Sequence, residues 1–282
     1  MTNAEFSDTF TTMLNSYNTQ AQFGEQASKM ETVLDEYEKS VLLTQAQDII
    51  TKSYFDGTLN PQGQGFDDST RRQIDFSSLI EVLTLNAESP QPSYIFDDRG
   101  IVFKLPAMLD ENDQAANNTC RVLFMLNEKL EYDAVTNTTG PAYGPKKTLV
   151  VVPINYKEYD REMSKPFAQP LKKQAWRLFQ NSSTGYDVDS ELIVKQSIRN
   201  KYSASPSAIG DIRIQYKIRY IRRPVPIILE DLPNGLTIDG RSSASSCELN
   251  PILHMDILNK AVELALATRG RVPVQQQQQP QR

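Results

Sequence analysis

One alternating segment in the last third of the chain constrains the fold more than any other feature. Over residues 212–220, apolar and aromatic side chains occupy the even positions, and the odd positions hold Arg213, Gln215, Lys217 and Arg219. Successive side chains of a strand point to opposite faces, so this pattern predicts a strand with one apolar and one solvated face. The strand is expected to break within residues 222–226, because the two prolines there have no N–H for a ladder.

The segment after the break predicts a hairpin and then a final helix. We expect a strand, a turn and a returning strand over residues 227–238. Asn250 and Pro251 suit an N-cap and a first helical position, which predicts a helix as far as Thr268. Apolar residues cover most of the circumference of this helix, so it must be buried on more than one side.

The chain beyond this helix has a composition that cannot fold alone. Gly270 is expected to end the helix, and five consecutive glutamines lie between prolines in the residues that follow. We therefore predict that residues 271–282 form an extended docking tail that a partner holds in place.

Composition bounds the class of protein. Apolar residues make up 39% and charged residues 23% of the 282, which is typical of a soluble globular protein with a sizeable core. The net charge of −5 does not suit a surface that holds nucleic acid. Cys120 and Cys247 provide neither a disulfide framework nor a zinc cluster. No secretory signal opens the sequence and the longest apolar run, residues 149–154, is too short for a bilayer, so we expect a protein made and used in the cytoplasm or in something assembled there.

Helical patterns dominate the first third of the chain, and strand patterns follow. Amphipathic spacing predicts helices over residues 3–17, 35–56 and 68–84. A composition shift at residues 89–92 precedes short strand patterns, which cover residues 94–96, 101–103, 121–130, 148–154 and 192–194. Asn155 and Glu158 have the spacing of a capping box and predict a further short helix.

These elements predict an α+β fold. An N-terminal helical bundle would be joined to a mostly antiparallel β domain, with the C-terminal helix packing back on the bundle. The predicted domains are a helical region over residues 1–90, a β-rich domain over 91–247, the last helix over 248–270 and the docking tail over 271–282.

The sequence offers little material for a catalytic or metal site. His254 is the sole histidine, so no ordinary metal triad or acid–base pair can be built around it, and we expect a helix-surface or interface histidine. Asp187, Asp189 and Glu191 alternate as calcium ligands do, but the glycine of a calcium loop is missing, which favours a solvated acidic loop. Phosphate-loop, nucleophile-elbow and zinc motifs are absent from the sequence, so we expect no enzyme activity, cofactor or metal.

A basic cluster leaves two interpretations open. One part lies on the alternating strand and beyond it, and the other part flanks Trp176 with Lys172, Lys173 and Arg177. Arginines on phosphates and stacked aromatics would form a nucleic-acid site. The alternative is a solvated or subunit-facing surface that pairs with the acidic excess, and the net charge favours it.

Three stretches resemble a known family. Residues 34–47 are similar to the N-terminal helix of crAss-like phage structural proteins, and residues 166–178 are similar to their central segment. Residues 220–229, 247–249 and 252–267 resemble their C-terminal part. The resemblance spans most of the chain in order, apart from the loops between about 105 and 145.

The resemblance implies a head-to-tail connector ring, or adaptor, of the virion neck. Such proteins are not enzymes, and they join the portal vertex to the tail of a short-tailed phage as rings that usually have twelve subunits. The implied partners are further copies of the chain, the portal protein, neighbouring tail rings and passing genomic DNA without sequence-specific binding, with no membrane. The implied location is the virion, after assembly in the host bacterial cytoplasm.

The alternative function is that of a DNA-binding packaging or ejection accessory, which would use the basic strand from Arg213 to Arg223. The predicted partner-binding residues lie mainly on the last helix and tail. They are Met255, Leu258, Val262, Leu266, Arg269, Arg271, Val272, Gln275, Gln277, Trp176, Arg222 and Arg223.

Overall fold

A computed structural model gives the fold over most of the chain. It describes residues 1–20, 34–55, 70–86, 94–96, 101–109, 115–134, 145–165, 170–181, 188–194, 212–233 and 235–268. The chain forms two compact units. The first comprises residues 1–79, 110–114 and 223–282, and the second comprises residues 80–109 and 115–222. Residues 223–247, which the sequence placed with the β domain, therefore belong to the same unit as the N-terminal helices.

The described elements are five α-helices and ten strands. The helices are α1 (Asn3–Gln20), α2 (Glu36–Phe55), α3 (Thr70–Asp75), α4 (Tyr156–Met163) and α5 (His254–Thr268). The strands are β1 (Ile80–Asn86), β2 (Tyr94–Phe96), β3 (Ile101–Lys104), β4 (Ala107–Leu109), β5 (Ala115–Cys120), β6 (Val122–Ala134), β7 (Lys147–Pro153), β8 (Gln174–Asn181), β9 (Val188–Ile193) and β10 (Ile212–Arg222). Short 3-10 turns precede β1, at Ser77–Leu79, and α5, at Pro251–Leu253.

The second unit is built on a mixed sheet of eight described strands. Its order is β1-β10-β6-β7-β8-β9-β3-β2, and β4 pairs with β5 in a separate ladder. Every described pairing is antiparallel except that of β7 with β8, which are linked through α4. The α+β class and the mostly antiparallel strands predicted from sequence are thus present.

The alternating segment forms the strand that its pattern predicts. The apolar and aromatic side chains of β10 are buried from Ile214 to Tyr220, whereas Arg219 on the other face is exposed. The strand ends at Arg222, immediately before the two prolines. β10 lies between β1 and β6, which places its buried face in the main core of the unit.

The third predicted helix is wrong over its second half. Helix α3 ends at Asp75, and residues 80–86 form β1 instead. All seven residues of β1 pair with β10, from Ile80 opposite Ile221 to Asn86 opposite Gln215. These long-range pairings override the helical spacing, because they pack the partly buried Leu83 and Leu85 against the core.

The predicted hairpin over residues 227–238 is also wrong. Ile228 pairs with Ser245, and Ile238 pairs with Arg241 in a tighter turn. The reason lies in α2, whose polar side chains bind the backbone on the other side of the segment. Ser40 accepts from the N–H of Leu229 at 3.0 Å, and Gln47 donates to the carbonyl of Val225 at 2.8 Å. The segment is therefore held between a helix and a later loop and does not pair with its own continuation.

In the first unit, α5 packs against α1 and α2. Helix α5 contacts both, and the buried part of its surface comprises His254, Ile257, Leu258, Ala261, Val262, Ala265 and Leu266. From α1, Phe6, Phe10 and Leu14 are buried. The predicted N-cap of the last helix is confirmed, since the Asn250 side chain accepts from the N–H of Ile252. The capping box at Asn155 and Glu158 is confirmed as well.

None of the helices in the described ranges combines the length and the apolar character that crossing a bilayer requires.

Candidate assembly surface

The basic residues of β10 are matched by carboxylates from neighbouring strands. The Nζ atom of Lys217 lies 2.7 Å from Glu131 on β6, and that of Lys129 lies 3.1 Å from the same carboxylate. The hydrogen bond from Lys217 lowers the pKa of Glu131, and burial of the carboxyl opposes this effect. The buried acid and its two lysines therefore stabilise one another across the sheet.

A second carboxylate, that of Glu81, lies near the end of β10. Glu81 on β1 accepts from Arg121 at 2.5 Å, and Arg222 lies 3.1 Å from it. The Tyr220 hydroxyl also donates to Glu81 at 2.8 Å. Burial, together with this hydrogen bond, raises the pKa of Tyr220. An ionic cluster thus joins the start of β1 to the end of β10.

Arg223 makes the corresponding contacts in the first unit. Its guanidinium lies 2.7 Å from Asp48 of α2 and 3.2 Å from Asp239. Asp239 has a positive φ of 51°, so Arg223 also holds a residue of unfavourable backbone conformation. Arg222 and Arg223, both predicted to contact a partner, are therefore engaged with acids of their own chain.

The remaining members of the basic cluster are placed differently. Arg219, Lys172 and Lys173 are exposed, and Trp176 is half-buried opposite Val152 and Ile193 in the sheet. The backbone of Arg213 lies opposite Asp133, and its side chain falls outside the described part of the chain. Of the basic cluster, these three exposed cations and the half-buried indole of Trp176 face solvent on the second unit.

Arg177 belongs to a buried ionic network that sequence reasoning missed. Its guanidinium binds Glu128 through both carboxylate oxygens, with its Nε atom at 3.0 and 3.1 Å. Glu128 also accepts from the Tyr216 hydroxyl at 2.6 Å, and Ser190 lies 3.3 Å from that hydroxyl. Burial raises the pKa of Tyr216, so this phenol stays protonated. The members come from β6, β8, β9 and β10, and the one sequence signal is that Arg177 shares a strand face with the apolar Ala175 and Phe179.

His254 is buried within the first unit, so the prediction of a helix-surface or interface histidine is wrong. Its Nε2 atom lies 3.1 Å from the carbonyl of Leu249, and its Nδ1 atom lies 3.2 Å from the amino group of Met1. The ring packs on Phe6, with centroids 5.0 Å apart. Burial lowers the pKa of His254. The ring thus joins α1 to the start of α5 inside one unit.

The acidic candidates do not form a metal site in the described residues. Asp187 lies outside them, and Glu191 is buried in β9. No group of three potential ligands that could hold a metal ion occurs in the ranges that the structure describes.

The predicted partner-binding residues of the last helix divide into two groups. Leu258, Val262 and Leu266 are buried in the interior of the first unit, so the prediction that a partner covers them is corrected. They belong to the buried side of α5, the helix that contacts both α1 and α2. Met255 faces solvent with 49% of its surface exposed. The other predicted positions, Arg269, Arg271, Val272, Gln275 and Gln277, lie outside the described residues.

A groove lies where the described part of α5 ends. It has a volume of about 370 Å³. It is lined by Leu34, Tyr37, Glu38, Val41, Leu42, Gln45, Ala265 and Thr268, and we call it the α2–α5 groove. Among these lining residues, Val41 and Leu42 are partly exposed, whereas Glu38 and Gln45 are exposed. The groove is therefore a mainly apolar surface of the first unit that carries one exposed carboxylate, that of Glu38.

Comparison with known proteins identifies the family. A family model described as phage tail ring protein 3/4 matches residues 1–277. The chain belongs to this family. It is 40% identical over 266 residues to ring protein 4/5 of Bacteroides phage crAss001, which covers 93% of this chain and 91% of that protein. It is 31% identical over 272 residues to ring protein 3 of the same phage, which covers 96% of this chain and 98% of that protein.

Membership of this family makes the chain a structural ring component of a phage tail. Its location is the virion, and its partners are further ring proteins of the tail. The resemblance to crAss-like phage structural proteins that the sequence carried is thereby confirmed. For a ring component, the surfaces that determine its function are those that contact other chains.

Proposed function

We propose that the chain is the subunit of a homo-oligomeric ring in the virion neck, joining the portal vertex to the tail of a short-tailed phage. The ring has twelve subunits, docks on the portal and on a neighbouring tail ring, and lines the channel through which the genome passes. It acts without catalysis and assembles in the cytoplasm of the bacterial host. The family match over residues 1–277 is the observation that carries this proposal.

The charges of the chain favour the role of a channel wall and argue against a DNA-binding surface. Four of the eight cations of the basic cluster are neutralised at short range, since Lys217, Arg222, Arg223 and Arg177 each lie within 3.1 Å of a carboxylate. Cations that already pair with acids release few counterions from DNA, so they contribute little affinity. With a net charge of −5, the subunit favours DNA sliding past over DNA being held.

The test is electron microscopy of the purified protein, alone and with the portal protein. Closed rings of twelve subunits that attach coaxially to the portal are expected. A second arm measures retention of duplex DNA at about 0.15 M salt, where little binding is expected. Monomers with salt-dependent DNA binding would favour the alternative of a packaging or ejection accessory and would overturn the proposal.

A further inference from the structure

The α2–α5 groove lies at the point where the described chain stops. Cys247, shortly before α5, donates to Gln47 in the middle of α2 at 3.4 Å. At its other end α5 contributes Ala265 and Thr268 to a groove whose α2 side extends back from Gln45 to Leu34. Thr268, the last described residue of α5, therefore lies beside the N-terminal half of α2.

The composition of the residues after Thr268 matches the groove. Residues 271–274 read Arg-Val-Pro-Val. Two valines separated by a proline suit an apolar wall that contains Val41 and Leu42, and proline pre-organises an extended conformation. Arg271 offers a cation to Glu38, an exposed residue of the groove lining. In length, six extended residues from 269 span about 20 Å, and the α2 side of the groove spans about 17 Å.

We propose that the α2–α5 groove binds residues 271–274 of a neighbouring copy of this chain. A ring needs a heterologous interface, in which one surface of each subunit meets a different surface of the next. The groove and the tail are two such surfaces on one chain. This proposal rests on the proposed ring function and assigns to it a subunit contact that passes from each chain to the next.

The exchange is tested with two full-length variants. The groove variant, Val41→Asp, places a carboxylate in the apolar wall beside Glu38. The tail variant, Val272→Asp with Val274→Asp, removes the apolar ligand. Each variant alone is expected to give monomers by mass photometry under conditions where the wild type forms rings. An equimolar mixture is expected to give dimers, because an intact tail and an intact groove then meet once in each pair.

The matched control is Ile49→Asp, which changes an exposed apolar residue of α2 that does not line the groove. This variant should assemble as the wild type does. Circular dichroism should show the same helix content for all four proteins. A mixture that stays monomeric would mean that each groove holds its own tail or residues 21–33, and it would overturn the proposal.

A second measurement does not depend on ring formation. A labelled peptide of residues 269–282 should bind the tail variant, whose groove is intact, and should bind the groove variant at least tenfold more weakly. Peptide binding and dimers in the mixture, without wild-type rings, would leave this inference standing and contradict the proposed function. Wild-type rings without peptide binding would overturn this inference and leave the proposed function standing.

Discussion

The side-chain hydroxyl of Thr44 on α2 makes two hydrogen bonds to the backbone of Ile227. It accepts from the N–H of Ile227 at 3.1 Å and lies 3.2 Å from the carbonyl oxygen of the same residue. Ser40, one turn earlier, accepts from Leu229, and Gln47 donates to Val225. A row of polar side chains on a helix thus takes the place of a neighbouring strand. This row fixes the proline-containing segment that returns the chain from the sheet to the helices.

We expect Thr44→Val to destabilise the first unit by about 1–3 kcal/mol, because it leaves a buried N–H and carbonyl of Ile227 without that partner. Thr51→Val is the matched control. Thr51 is also buried on α2, and its hydroxyl donates to the carbonyl of Gln47 within the same helix at 2.8 Å. Urea denaturation followed by circular dichroism measures both variants. Equal losses for the two would contradict a special role for the contact with Ile227.

Arg177→Met should cost about 3–5 kcal/mol, because it leaves the buried carboxylate of Glu128 without its cation. The pair is almost wholly inside the protein, with side-chain exposures of 10% and 8%. Combining Arg177→Met with Glu128→Gln should recover part of the loss, since no unpaired charge then remains. Chemical denaturation of the single and double variants gives the coupling. Strictly additive effects would show that the two groups do not stabilise each other.

The stability of the first unit should fall as the pH drops below about 6.5. Burial holds the pKa of His254 below its ordinary value of 6.5, so the unfolded chain takes up a proton that the folded chain excludes. The loss begins near the unfolded pKa, cannot exceed about 1.4 kcal/mol per pH unit from one group, and levels off below the folded pKa. The nearby amino group of Met1 acts in the same direction.

Urea midpoints at pH 7.5 and 5.5 measure this effect against the variant His254→Gln. The variant keeps a polar group at this position but cannot titrate in that range. Carboxylates elsewhere contribute equally to both proteins, so the difference between the two slopes isolates the histidine. Identical slopes would mean that His254 charges freely in the folded state.

Val262→Asp should unfold or strongly destabilise the subunit, because Val262 is 1% exposed inside the first unit. Met255→Asp, on the same helix but 49% exposed, should leave the melting temperature within about 2 °C of the wild type. Thermal melts of the monomeric proteins separate the two. A stable Val262→Asp subunit that fails only in assembly would restore the prediction of a partner contact at this position.

Replacing Arg213, Lys217 and Arg219 by glutamine should leave DNA affinity at a weak background. Lys217 is already paired with Glu131, which limits its attraction to phosphates. Lys172→Gln with Lys173→Gln, at exposed positions elsewhere in the second unit, is the control. Fluorescence anisotropy over a salt series measures affinity and slope together. A large loss of affinity with a shallower salt slope would instead identify β10 as a DNA-binding strand.

Local chemistry accounts for the elements that sequence reasoning predicted well. The alternation in β10, its end before the two prolines, and the caps at Asn155 and Asn250 each depend on residues within a few positions. Their physical causes are the strand period, the missing proline N–H and the orphan N–H groups of a helix start. The family resemblance could also be recognised from the sequence, because it depends only on the order of the residues.

The tertiary structure decided what depended on distant partners. Residues 80–86 have helical spacing on their own, but pairing with β10 makes them a strand. Ser40, Thr44 and Gln47 are polar, which suggests a solvated helix face, yet a segment about 180 positions later buries them. Leu258 and Val262 suggested a free apolar face until α1 and α2 covered them. The sequence determined local conformation through short-range sterics and capping, whereas burial and pairing arise only when the folded chain brings remote residues together.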